Sequence, residues 1–142
     1  MKPALFLRAA SVLSLLIAMG HTVGGVFGSV APGAQAAAVL AMKTNQFQVM
    51  GVTRSYWDFN LGEGLAATIS MLVGAVVFWQ LSSLARKDTV PLRPILTTFL
   101  VGHVCLAVLS WRYFIAPPVV GNLLIAACLA LAVLTSRRTA DA

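Results

Sequence analysis

Two histidines and one carboxylate stand inside sequence that is otherwise almost unbroken hydrocarbon: His21, Glu63 and His103. A carboxylate and an imidazole held together in a partly dry pocket can pass a proton between them near neutral pH, the basis of general acid–base catalysis. Entered from an apolar surround, such a site would suit isomerisation or hydrolysis of a lipophilic substrate. The same groups can serve more simply as polar anchors for a bound amphipathic molecule, or as hydrogen-bonded links between helices. Asn60, Arg112 and Asn122 are the further polar residues within or at the ends of apolar runs. Two His and a Glu also form a known metal-ligand set. No HExxH or comparable paired spacing supports that use here, and no cofactor is expected. A Gly-rich phosphate loop, a nucleophile elbow and a haem motif are all absent from the sequence.

The elements that position these residues follow from composition. Of 142 residues, 59% are hydrophobic and only 10% are charged, with a mean hydropathy of +0.89. A water-facing surface usually needs about 25% charged residues, so a soluble globule, a disordered tail and a coiled coil are excluded. The sequence reads as an all-α integral membrane protein, a four-helix bundle forming one domain. Four apolar segments each approach the ~20 residues a spanning helix needs, at about residues 4–27, 56–84, 94–114 and 118–136. Ser55-Tyr56-Trp57-Asp58 has capping-box spacing for the start of the second span. Pro94 and Pro118 suit first helical positions, and Pro117-Pro118 predicts a tight turn between the third and fourth spans.

Ten Lys and Arg against four Asp and Glu give a formal charge of +6. These cations flank apolar segments rather than gathering on one solvated face, so they orient helices and do not indicate nucleic acid. With four spans, one side carries Lys2, Arg8, Arg86, Lys87, Arg93, Arg137 and Arg138, and the other only Lys43, Arg54 and Arg112. That asymmetry predicts an inner-membrane protein with both termini cytoplasmic. A competing reading takes Lys2 and Arg8 with the following apolar run as a signal peptide, cleaved near Ala34-Gln35-Ala36; it would leave three spans and strand His21. In the outer loop, residues 34–50 have helix-forming composition. Leu40, Phe47 and Met50 there can share one side, as in an interfacial helix, with a partly ordered loop as the alternative. Cys105 and Cys128 fall inside apolar runs and read as small buried hydrophobes.

Depth brings the polar residues together. His21, Asn60, Glu63, His103, Arg112 and Asn122 all fall in the outer half of the predicted bundle, leaving the inner half nearly bare. Tyr56, Asn60, Glu63, Ala67, Ser70 and Gly74 recur at helical spacing, as do Ser14, Ala18, His21, Gly25 and Gly28, and His103, Ala107 and Ser110. Such small and polar stripes usually face other helices. Gly20, Gly24 and Gly28 make two GxxxG steps, which would let another backbone approach near His21 and makes a homo-oligomer plausible. Plainer accounts stand beside the functional one: Glu63 paired with Arg54 or Arg112, His21 as an interhelical bridge, His103 as a packing residue, Asp58 as a cap.

Three strings resemble a family of small bacterial membrane proteins named after a Leptospira locus: Gly20-His21-Thr22-Val23-Gly24-Gly25, Val49 through Phe59, and Ser110-Trp111-Arg112-Tyr113-Phe114. That resemblance implies a bacterial four-helix membrane protein and carries no catalytic assignment. A looser, architectural similarity is to the emopamil-binding and DoxX-like bundles. The function expected from the residues is binding of a small lipophilic molecule in a polar pocket toward the outer leaflet, with Glu63 and His21 as anchors and His103 below them. The alternatives are an intramembrane acid–base enzyme and a structural membrane subunit. Expected partners are membrane lipids, a lipophilic small molecule and a second copy of the chain.

Overall fold

A computed structural model describes residues 2–136; Arg137 and Arg138, which contribute to the predicted orientation, lie outside the described residues. Helix α1 spans Lys2–Gly20 and runs on as a π-helical segment, His21–Val26. After it come α2 (Ala34–Thr44), strands β1 (Gln46–Val49) and β2 (Val52–Ser55), and α3 (Tyr56–Leu84). A short 3₁₀ turn, Val90–Leu92, leads into α4 (Arg93–Tyr113), and α5 occupies Ala116–Leu134. Apart from one hairpin the described chain is all-α. Four helical segments are long and apolar enough to cross a membrane: Lys2–Val26, Tyr56–Leu84, Val90–Tyr113 and Ala116–Leu134.

The described residues fall into two compact units, one drawn from residues 2–17 with 71–136, the other Ala18–Ser70. In the first, Leu7, Phe78, Leu96 and Leu129 are fully buried among Ala4, Ala10, Leu81, Ala85, Ile125 and Ala132. Alanines at the contacts let helices approach, and Phe78 fills the space they leave, edge-on to Phe99 with ring centroids 5.1 Å apart. With apolar side chains on both sides of these contacts, close fit supplies dispersion energy. Polar ties fix the register. The Ser11 hydroxyl donates to the Ala75 carbonyl across 2.7 Å, and the Arg8 guanidinium lies over the Trp79 ring. Arg93, opening α4, donates to the Ser136 carbonyl just past α5 at 2.7 Å. A cation is favoured there by the carbonyl-rich end of a helix.

In the second unit, α3 begins with the capping box that its sequence predicts. Ser55 Oγ accepts the Asp58 N–H at 3.1 Å, and Asp58 Oδ2 accepts from the Ser55 N–H at 2.8 Å and its hydroxyl at 2.9 Å. The outer loop departs from expectation. Helix α2 stops at Thr44, and residues 46–55 turn back as a hairpin in which Val49 pairs with Val52 and Gln46 with Ser55. Met50 and Gly51 both have positive φ, 49° and 80°, the combination a two-residue type I′ turn requires. β-branched Val49, Val52 and Thr53 favour extended backbone over the continued helix. Phe47 then packs on Tyr56 and Phe59, at 4.8 and 5.3 Å between centroids, rather than joining Leu40 and Met50 on one helical side.

The α4–α5 connection also differs from its prediction. Phe114 and Ile115 make the turn in extended conformation, while Pro117 and Pro118 sit inside the first turn of α5. An amide in that turn lacks a helical acceptor, so two residues without N–H are accommodated there at little cost.

Met50 occupies a left-handed position that bulky residues rarely take, and asparagine suits it better. Met50→Asn should therefore stabilise the hairpin by about 0.5–1 kcal/mol, seen as slower amide exchange across β1 and β2. Ser55→Ala should cost about 1 kcal/mol and speed exchange in the first turn of α3.

Candidate functional site

The six candidate residues separate into two hydrogen-bonded clusters and a set of exposed side chains. In the first cluster, the π-helical segment turns His21 onto α3. Its Nε2 lies 3.1 Å from the Gly64 carbonyl oxygen. A carbonyl only accepts, so Nε2 carries a hydrogen. Thr22 Oγ1 lies 3.0 Å from Thr68 Oγ1, and each hydroxyl also reaches its own i−4 carbonyl, Ala18 at 2.7 Å and Gly64 at 3.1 Å. Two glycines make the contact possible. A Cβ on Gly64 would come 3.0 Å from Val26 Cγ2, and one on Gly25 would come 3.2 Å from His21 Nδ1.

That geometry relocates the close approach expected from the GxxxG steps. A Cβ on Gly20 or Gly24 would meet nothing within 4 Å, and one on Gly28 would strike the Gly24 carbonyl of its own segment. The cause is the π-helical turn. It adds a residue per turn and rotates everything after His21 off the four-residue spacing of an α-helix.

The second cluster joins α4 to α5. Asn122 Nδ2 donates to the Pro118 carbonyl at 2.8 Å, which leaves Oδ1 facing His103 Nδ1 at 2.9 Å. His103 therefore carries its hydrogen on Nδ1, the opposite tautomer from His21, and its ring packs 5.9 Å from that of Phe78. Both histidines are half-buried. Each spends an N–H on an amide oxygen of another helix.

Asn60, Glu63 and Arg112 are exposed. Asn60 and Glu63 make no hydrogen bond or ion pair with a described residue, nor does Arg112, whose guanidinium lies 5.3 Å from the neighbouring Tyr113 ring. The pairing of Glu63 with Arg54 or Arg112 is not formed. Although His21 meets the backbone one residue from Glu63, among the described residues no carboxylate bonds either imidazole. Among the described residues no three His, Cys, Asp or Glu side chains gather where they could hold a metal ion.

A groove lies elsewhere. Leu13, Leu16 and Ile17 of α1 face Ala116, Pro117, Val120, Gly121 and Leu124 of α5 across an open cleft of about 510 Å³. Its walls are hydrocarbon, and its floor is the close contact of Gly121 with Ile17, where a Cβ would come 2.7 Å from Ile17 Cδ1. Sequence reasoning centred on polar residues misses this cleft, because leucines at these spacings look like ordinary lipid-facing positions. The same reasoning passes over Thr22 and Thr68, whose only signal in the sequence is a hydroxyl within an apolar run.

No protein-family model matches the chain, and neither a curated protein nor a solved structure matches it.

The tautomers give a direct test. In ¹⁵N spectra of the neutral imidazoles, His21 should show the Nε2–H signature and His103 the Nδ1–H signature. Asn122→Ala should remove the His103 bond and destabilise the α4–α5 pair by roughly 0.5–2 kcal/mol. It should leave the His21 signal in place.

Proposed function

We propose that this chain is a multi-pass inner-membrane protein, with both termini cytoplasmic, that holds the hydrocarbon body of a lipophilic molecule in the α1–α5 groove. Four helices of spanning length and composition support the membrane placement, and the distribution of Lys and Arg supports the orientation. The observation that carries the binding function is the groove itself. Its volume of about 510 Å³ falls in the ~300–1,000 Å³ range of small-molecule sites. It is lined by α5 from its first turn, the end on the outer side in this orientation, so it opens to the outer leaflet.

Polar anchoring by His21 and Glu63 is not needed for this reading, since neither lines the groove. Selection instead rests on shape. Lipid tails already surround the helices, so removal from water contributes nothing and only fit distinguishes one lipophile from another. Pro117 and Gly121 give the α5 wall a fixed, flat surface, a better match for a rigid molecule than for a flexible chain. The acid–base alternative gains no support, because both imidazoles bond amide oxygens rather than a carboxylate.

Native mass spectrometry of gently solubilised protein tests the proposal. The wild type should retain a lipophilic adduct, and Val120→Trp, which fills the groove from an exposed position, should lose at least four-fifths of it while staying folded. A wild type without adduct, or equal retention by both proteins, would defeat the assignment.

A further inference from the structure

Glu63 and Arg112 are opposite charges, both exposed, and neither has an ionic partner among the described residues. Each marks the same level of its own span. Glu63 lies 21 residues before Leu84 at the end of α3, and Arg112 lies 19 residues after Arg93 at the start of α4. At 1.5 Å per residue both stand about 30 Å from the cytoplasmic end of their helix, roughly the thickness of the hydrocarbon core.

The residues below them continue the match. On α3, Glu63, Ala67, Ser70 and Gly74 follow steps of four, three and four. On α4, read downward from the outer end, Arg112, Val108, Cys105 and Val101 follow the same steps. All four α4 residues are exposed. On α3, Glu63 and Ser70 are exposed, Ala67 and Gly74 are half-buried, and a Cβ on Gly74 would meet nothing within 4 Å. The helices run in opposite directions. Laid side by side they set carboxylate on guanidinium, Ala67 on Val108, Ser70 on Cys105 and Gly74 on Val101, small against larger at every level. Both stripes keep the seven-residue repeat that packed antiparallel helices share. Polar and small stripes left toward lipid are costly, and covering them with another helix removes that cost.

We infer that α3 of one copy packs on α4 of a second copy, with Glu63 paired to Arg112 between them. The occupant is the chain itself because the complementary charge, at the matching depth and in the matching register, is its own. This inference rests on the membrane placement proposed above, and it is independent of the groove.

Oxidative cross-linking in isolated membranes tests it. In a Cys128→Ser background, Ser70→Cys should form a disulfide with Cys105 of the second copy and run as a covalent dimer. Ile69→Cys, exposed one position away, should give less than a fifth as much. A Ser70→Cys protein that stays monomeric, closes within one chain, or cross-links no better than Ile69→Cys would overturn the pairing. Carbonate extraction of the same membranes separates the two readings: protein washed off refutes the membrane placement, whereas retained protein without cross-link refutes only the pairing. Charge exchange adds a second readout. Glu63→Arg and Arg112→Glu should each abolish the dimer alone, and co-expression of the two variants should restore it. Failure of the mixture to associate would also refute the contact between copies.

Discussion

A hydroxyl, amide or imidazole set among apolar side chains is costly unless it finds a hydrogen-bond partner, and much of this structure depends on how that need is met. Most side chains meet it locally. Thr22, Thr68, Ser70, Thr98, Thr135 and Ser136 each donate to the carbonyl four residues back on their own helix. The exceptions tie helix to helix: Ser11 to Ala75, His21 to Gly64, and His103 to Asn122. Because hydrocarbon fit alone is tolerant of sliding, these directional bonds do more than the buried leucines to choose one register. Ser14 Oγ and Arg8 Nε are buried without a hydrogen-bond partner among the described residues.

The division of labour follows from the same requirement. The imidazoles are committed to the frame, each with one nitrogen engaged, so the polar residues that look most like chemistry in the sequence serve packing. The concave surface is made where no polar side chain occurs at all. A groove of this kind can recognise volume and rigidity, but it has no means of fixing a headgroup.

Much of the fold was legible from residue order. The second span was read as 56–84, and α3 occupies Tyr56–Leu84, because its start carries a capping box and its end runs into Arg86 and Lys87. The hairpin was not legible. Its turn uses Met50-Gly51 in place of the asparagine or aspartate that usually announces a type I′ turn, and an alanine-rich stretch upstream masks the change of period. The π-helical segment was equally hidden. Spacing rules assume a constant number of residues per turn, so the glycine stripe drawn through Gly20, Gly24 and Gly28 points elsewhere once a turn is widened at His21. For the candidate site, depth along each helix was readable from sequence. Whether side chains at one depth meet is a matter of helix rotation, which periodicity alone does not fix.

The link between α4 and α5 is only Phe114 and Ile115, both fully extended. If the four spans cross a bilayer as proposed, two residues are too few to be threaded to the far side after α4 has settled. The last two spans then have to enter as a single hairpin during synthesis, drawn in together by their hydrocarbon faces and carrying Arg112 across at the bend. The Asn122 and His103 side chains would find each other in that first step of insertion, before either helix meets the rest of the chain. On that reading the bond between them would serve assembly as well as the finished fold.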